Sequence, residues 1–296
     1  MGNAMTQRSL GLGEARQRLA AELLRFAEGR RAIEAIEPVA FVVVIKGAAL
    51  APLLWRPGER PMCDVDLLVT PAHLQTARRA LRSAGWQMLA TAGRPLGSRL
   101  HRAFSARGPG GGVVDVHAHI AQRVRWPVPV EEVLSRAVPC TLDQRRAWRP
   151  CNEDSLLIAA LNQAKDDFAA HGASCEDIAR LIARGDLDWQ AIIERARCFR
   201  ARVATWLALE HARTCCSAMV PADVLTALRP RRAIALAKFV DERRTPSLGV
   251  VGRSRRARQA VVGPLVTDSL ARFAASAVGW AAVRLIDAAG STLGVE

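Results

Sequence analysis

The 296 residues are half hydrophobic, so a substantial core can form, in one large domain or two modest ones. The net charge of +14 admits an anionic partner (a nucleoside triphosphate, a phosphorylated substrate or a nucleic acid). Arginines spread over all the expected helices do not make one patch, however, and a GC-rich coding bias accounts for the excess equally well. The seven cysteines show no CxxC pair and no histidine spacing of a zinc site, which excludes a zinc finger and argues for reduced cytosolic thiols over a disulfide framework.

Residues 1–12 lack the apolar core of a signal peptide. The apolar stretch 273–283 is too short to span a bilayer and is bounded by Arg272 and Arg284. A cytoplasmic protein with no membrane partner is expected. Residues 1–13 read as a frayed arm. Residues 14–36 carry Leu19, Leu23, Leu24, Ala27 and Ile33 at helical spacing and predict one or two helices, ended by Glu37-Pro38.

Residues 41–45 are β-branched and apolar on both faces, which suits a strand covered by helices. The run stops at Lys46-Gly47. A helix follows, and Gly47 at its start lets the backbone approach a ligand while the first N–H groups stand free for phosphate. After a loop with two prolines and Arg60, a second apolar run opens with Asp64-Val65-Asp66. Side chains two apart on a strand share a face, so Asp64 and Asp66 project together. Paired carboxylates of this kind suit Mg²⁺, which takes one or two of them and completes its shell with water and phosphate oxygens.

Residues 71–85 predict a helix with Pro71 at its start and Gly85 at its end. Residues 86–90 and 99–105 alternate as a pair of strands. Residues 108–112 are a glycine-rich turn without the Lys-Ser/Thr ending of a P-loop. Residues 113–119 form the next strand, with Asp115 and His117 on one face. For His101, His117 and His119 a structural role is the simplest assignment, although His117 is also placed to position substrate or phosphate. Composition shifts near Gln122, and residues 126–130 read as a linker. Everything beyond is helical in pattern, with helices over 154–171, 175–183 and 188–198. Asp177 reads as structural or substrate-facing. Asp166, Asp167 and His171 read as a solvated helix face rather than a cleft wall. The basic segment 229–258 lacks interleaved aromatics and reads as a solvated connector rather than a nucleic-acid platform. Residues 261–289 close the chain as an apolar helix or helix pair.

Two stretches together, Lys46-Gly47-Ala48-Ala49-Leu50-Ala51 and Arg60-Pro61-Met62-Cys63-Asp64-Val65-Asp66-Leu67-Leu68-Val69, resemble a bacterial branch of largely uncharacterised nucleotidyltransferases in the DNA polymerase beta-like superfamily. The likeness continues to about residue 220. It implies an α/β (α+β) core with a mixed sheet over residues 1–125, followed by an α-helical domain over 126–296, with the active site between them. Asp64, Asp66 and Asp115 are then the catalytic and metal-binding acids, with Asp115 as general base. Lys46, Gly47, Ala48 and His117 contact the nucleotide or its phosphates, and Arg60 touches the triphosphate or holds its loop against the aspartates. The family's second small residue is often serine, so Ala48 loses a hydroxyl contact. The implied reaction is Mg²⁺- or Mn²⁺-dependent transfer of a nucleoside monophosphate from an NTP, with release of pyrophosphate. The acceptor is a hydroxyl or phosphate of a small molecule or peptide. RNA-directed transfer and a non-catalytic, nucleotide-binding or antitoxin-like relative are the alternatives.

Overall fold

Three short apolar strands set the frame of the molecule. The computed structural model describes residues 12–89, 103–165, 168, 173–230, 266–269, 271–272, 274–275 and 278. Helix α1 (Leu12–Ile36) leads into β1 (Val43–Ile45), which runs directly into α2 (Lys46–Leu54). Strand β2 (Val65–Leu68) and helix α3 (Leu74–Ser83) follow, then β3 (Gln87–Met88), β4 (Ala103–Arg107) and β5 (Val113–His117). The sheet order is β1-β2-β5-β4-β3. Among the described residues, β2 and β5 pair in parallel and the other three ladders of this sheet are antiparallel. The mixed sheet expected from the resemblance is therefore present.

The period-2 geometry of the strands divides their side chains between two cores. Val42, Val44, Val65, Leu67, Val114 and Val116 pack against Phe26, Ile33 and Ile36 of α1 and Leu74, Ala77 and Leu81 of α3. Val43, Ile45 and Leu68 face the other way, into a core shared with the later helices. These are α4 (Val130–Ser135), α5 (Asn152–Lys165), α6 (Ala173–Arg184), α7 (Trp189–Cys198), α8 (Arg202–Cys216) and α9 (Ala222–Leu228). Helix α5 is buried from Asp154 to Leu161 and forms the axis of that second core. Asp188 caps α7 by accepting the Ala191 N–H at 3.0 Å, as its position before Trp189 suggests.

The expectation that everything beyond residue 122 is helical needs correction. Strands β6 (Val138–Leu142) and β7 (Arg145–Arg149) form an antiparallel hairpin. Its two-residue turn, Asp143-Gln144, has φ of 46° and 64°, the left-handed pair that matches strand twist. Leu142 and Ala147 join the core of α1 and the sheet. Arg30 of α1 donates to Asp143 at 2.8 Å, and Arg145 reaches Glu34 and Glu37. Phe41, 44% exposed, leans on Trp148 with ring centroids 5.8 Å apart.

The glycine turn between β4 and β5 has a packing reason. A Cβ on Gly108 would clash with Glu28 Oε2, and one on Gly112 would meet Glu28 Cγ at 2.7 Å. Glu28 is fully buried beneath this turn and accepts the Gly110 N–H at 3.2 Å. Among the described residues, no helix is long and apolar enough to cross a membrane. His101, Asp166, Asp167, His171, the basic segment from residue 231 to 258 and nearly all of the expected final helix lie outside the described residues.

Candidate metal centre

Parallel pairing of β2 with β5 puts Asp66 directly beside Asp115, and Leu68 beside His117. Asp115 and His117 are two apart, so both lie on the face that carries Asp66. Among the described residues, Asp66, Asp115 and His117 each offer one ligand atom, and these atoms lie within 4.8 Å of one another. The two strands are distant along the chain, yet their ladder brings the carboxylates side by side.

Asp66 is 8% exposed and heavily engaged. Its Oδ1 accepts from Lys46 Nζ at 2.5 Å and lies 2.7 Å from His117 Nε2. Burial alone pushes the Asp66 carboxyl up, but the hydrogen bond from His117 and the charges of Lys46 and His117 outweigh it. The carboxyl ends well below the usual carboxylate range. Asp64 moves the other way. Burial, then repulsion from Asp66 and Asp115, raises it against the attraction of Lys46 and His117. Asp64 sits in a bend one residue before β2 and stands outside the three-residue group, close enough to feel both of its acids.

Lys46 opens α2 with φ of 54°, a left-handed backbone unusual for a side chain of this size, and Ile45 before it is extended. This abrupt turn from strand to helix aims Lys46 back across the sheet to Asp66, its neighbour on the adjoining strand being Ile45. Gly47 and Ala48 are buried. The room that Gly47 leaves is filled by protein: a Cβ there would clash with the Arg60 guanidinium and meet the Met62 sulfur at 3.0 Å.

Arg60 is itself committed. Its Nε and its Nη2 donate to Asp177 on α6 at 2.9 and 2.6 Å, and both side chains are almost fully buried. Trp55 Nε1 donates to the same carboxylate at 2.8 Å. Arg180, one turn on, lies 3.8 Å over the Trp55 ring and donates to Leu54 O at 3.0 Å. From the other side, Glu22 of α1 accepts the Gly58 N–H at 3.2 Å. The loop that delivers Asp64 and Asp66 is thus fastened to both α1 and α6. Sequence reasoning named Arg60 and Asp177 separately; it did not pair them, and it overlooked Trp55. A lone tryptophan after a helix, followed by an arginine in a proline-rich loop, was the available signal.

The donor set of two carboxylates and an imidazole on one face of the sheet fits a divalent cation. Residues 7–217 match the model of a family described as uncharacterised nucleotidyltransferase. That span is well over half of the chain, and the chain belongs to this family. It is also similar to the crystal structure of an antigenic nucleotidyltransferase-like protein from Paracoccidioides brasiliensis. The two share 19% identity over 71% of this chain and 93% of that one, with a TM-score of 0.44, too distant to carry functional weight. No curated protein matched the chain.

Proposed function

We propose that the protein is a metal-dependent nucleotidyltransferase of the polymerase beta-like kind. It would move a nucleoside monophosphate from an NTP to a small-molecule or peptide acceptor and release pyrophosphate. The observation that carries this reading is the adjacency of Asp66 and Asp115 on neighbouring strands, in a chain that belongs to a nucleotidyltransferase family. Asp66 and Asp115 would hold Mg²⁺ or Mn²⁺, with Asp64 at the edge of the site. A cation bound there supplies neutralisation of phosphate charge and of the charge that develops on the leaving pyrophosphate.

The chain's own residues take the remaining roles. Lys46 neutralises Asp66 in the absence of a cation; released from Oδ1, its ammonium reaches a phosphate oxygen. Asp115 accepts the proton of the acceptor hydroxyl. Gly47 and Ala48 at the start of α2 are buried, and Arg60 and Met62 fill the space at Gly47, so Lys46 carries the phosphate contact on this side of the site. Arg60 supports the loop through Asp177 rather than meeting the triphosphate itself. In this reading residues 1–125 supply the metal and nucleotide groups, and residues 126–296 wall the acceptor side, in the cytoplasm.

The test is incubation of the full chain with each NTP and Mg²⁺ or Mn²⁺, reading pyrophosphate release and label transfer to the protein or to added acceptors. Asp66→Asn and Asp115→Asn are expected to lower the rate by at least about a hundredfold. Equal rates in wild type and both variants would refute the assignment.

A further inference from the structure

We infer that His117 is itself a metal ligand, so that the centre takes a first-row transition dication in preference to Mg²⁺. The inference rests on the nucleotidyltransferase reading above and specifies its metal.

Three observations carry it. First, His117 shares the metal-facing side of β5 with Asp115, and its ring nitrogen falls within 4.8 Å of carboxylate oxygens from both Asp66 and Asp115. Second, Lys46 Nζ and His117 Nε2 both reach Asp66 Oδ1, so a cation that takes the place of Lys46 there arrives beside His117. Third, the nitrogen presented to the acids is Nε2, 2.7 Å from Asp66 Oδ1, on a ring that is only partly buried. With a cation in place of Lys46 at Oδ1, His117 Nε2 would complete a donor set of one nitrogen and two carboxylates.

Ligand chemistry then sets the preference. Mg²⁺ is hard, keeps oxygen ligands and gives up its water reluctantly. Imidazole suits first-row transition ions, whose affinity for mixed nitrogen–oxygen sites rises along the series from Mn²⁺. A site of oxygens alone would discriminate little; one imidazole in place of a water shifts the balance.

The probe is Mn²⁺ added to the full chain, followed by electron spin-echo spectroscopy, which detects nitrogen bound to the ion regardless of turnover. Wild type is expected to show a histidine-nitrogen coupling that changes when histidine alone is labelled with ¹⁵N, a readout that needs no variant. The coupling is expected to vanish in His117→Gln. By calorimetry Mn²⁺ should bind at least about tenfold more tightly than Mg²⁺, and this ratio should fall several-fold in His117→Gln. Mn²⁺ binding that is lost in Asp66→Asn but shows no histidine coupling overturns the inference and leaves the carboxylate centre standing. Coupling that persists in His117→Gln assigns it to another histidine and also overturns it. Failure of wild type to bind either ion overturns both readings.

Discussion

At the scale of single residues, the site is held by a substitution of charges. Asp66 is buried, and a buried carboxylate without a partner would take up a proton. Lys46 and His117 prevent this, which makes Lys46 the rival of any cation at the same oxygen. Coulomb energy scales with the product of the charges. A dication beside two carboxylates therefore gains about four times what one ammonium gains beside one, before the cost of stripping its water. Metal is expected to win, against resistance from Lys46. Lys46→Met should accordingly bind Mn²⁺ roughly tenfold more tightly by calorimetry, while its affinity for nucleotide falls. Unchanged metal affinity would mean that Lys46 does not compete. The sequence already pointed to Lys46 and to all three acids, because strand periodicity and the motif order are local signals. It did not show that Lys46 faces Asp66: that contact depends on the left-handed turn at Lys46 and on the pairing of β1 with β2, neither of which leaves a mark in residue spacing.

At the scale of elements, the loop between α2 and β2 is clamped from outside. The Arg60–Asp177 pair is two-pronged and nearly dry, with Trp55 as a third donor to the same carboxylate. Removing one partner of such a pair leaves a buried charge uncompensated, at about 3–5 kcal/mol. Asp177→Asn is thus expected to lower the thermal midpoint by on the order of 10 °C. Replacing both members with apolar residues, Arg60→Met with Asp177→Leu, should recover much of the loss. A midpoint for Asp177→Asn within a degree or two of wild type would show that the clamp contributes nothing. Helices α3, α6 and α7 were legible from apolar spacing, caps and terminal glycines. The β6–β7 hairpin was not. Pro139 and three arginines disguise its strands, and Asp-Gln replaces the Asn-Gly or Asp-Gly that usually announces a two-residue turn. Its strand character comes from packing on α1 and beside β1, a tertiary cause.

At the scale of the whole molecule, the sheet is a partition. One face serves α1 and α3; the other carries apolar residues at β1 and β2 toward the helical core, and the acids and His117 at the same parity. Asp66, Asp115 and His117 therefore lie on the side of the sheet that faces the later helices, and Arg60 crosses to α6. A mixed α/β core followed by helices was readable from the order of patterns along the chain. The single parallel ladder was not, since parity fixes a side chain's face but says nothing of which strand lies next to which. That ladder is what unites Asp66 with Asp115, and every functional step proposed above depends on it. Anomalous diffraction from crystals grown with Mn²⁺ tests this most directly. The predicted result is one strong peak in bonding distance of Asp66 and Asp115, with Lys46 withdrawn from Asp66 Oδ1. A strong peak elsewhere, or none while Lys46 still holds Asp66 at saturating Mn²⁺, would contradict it.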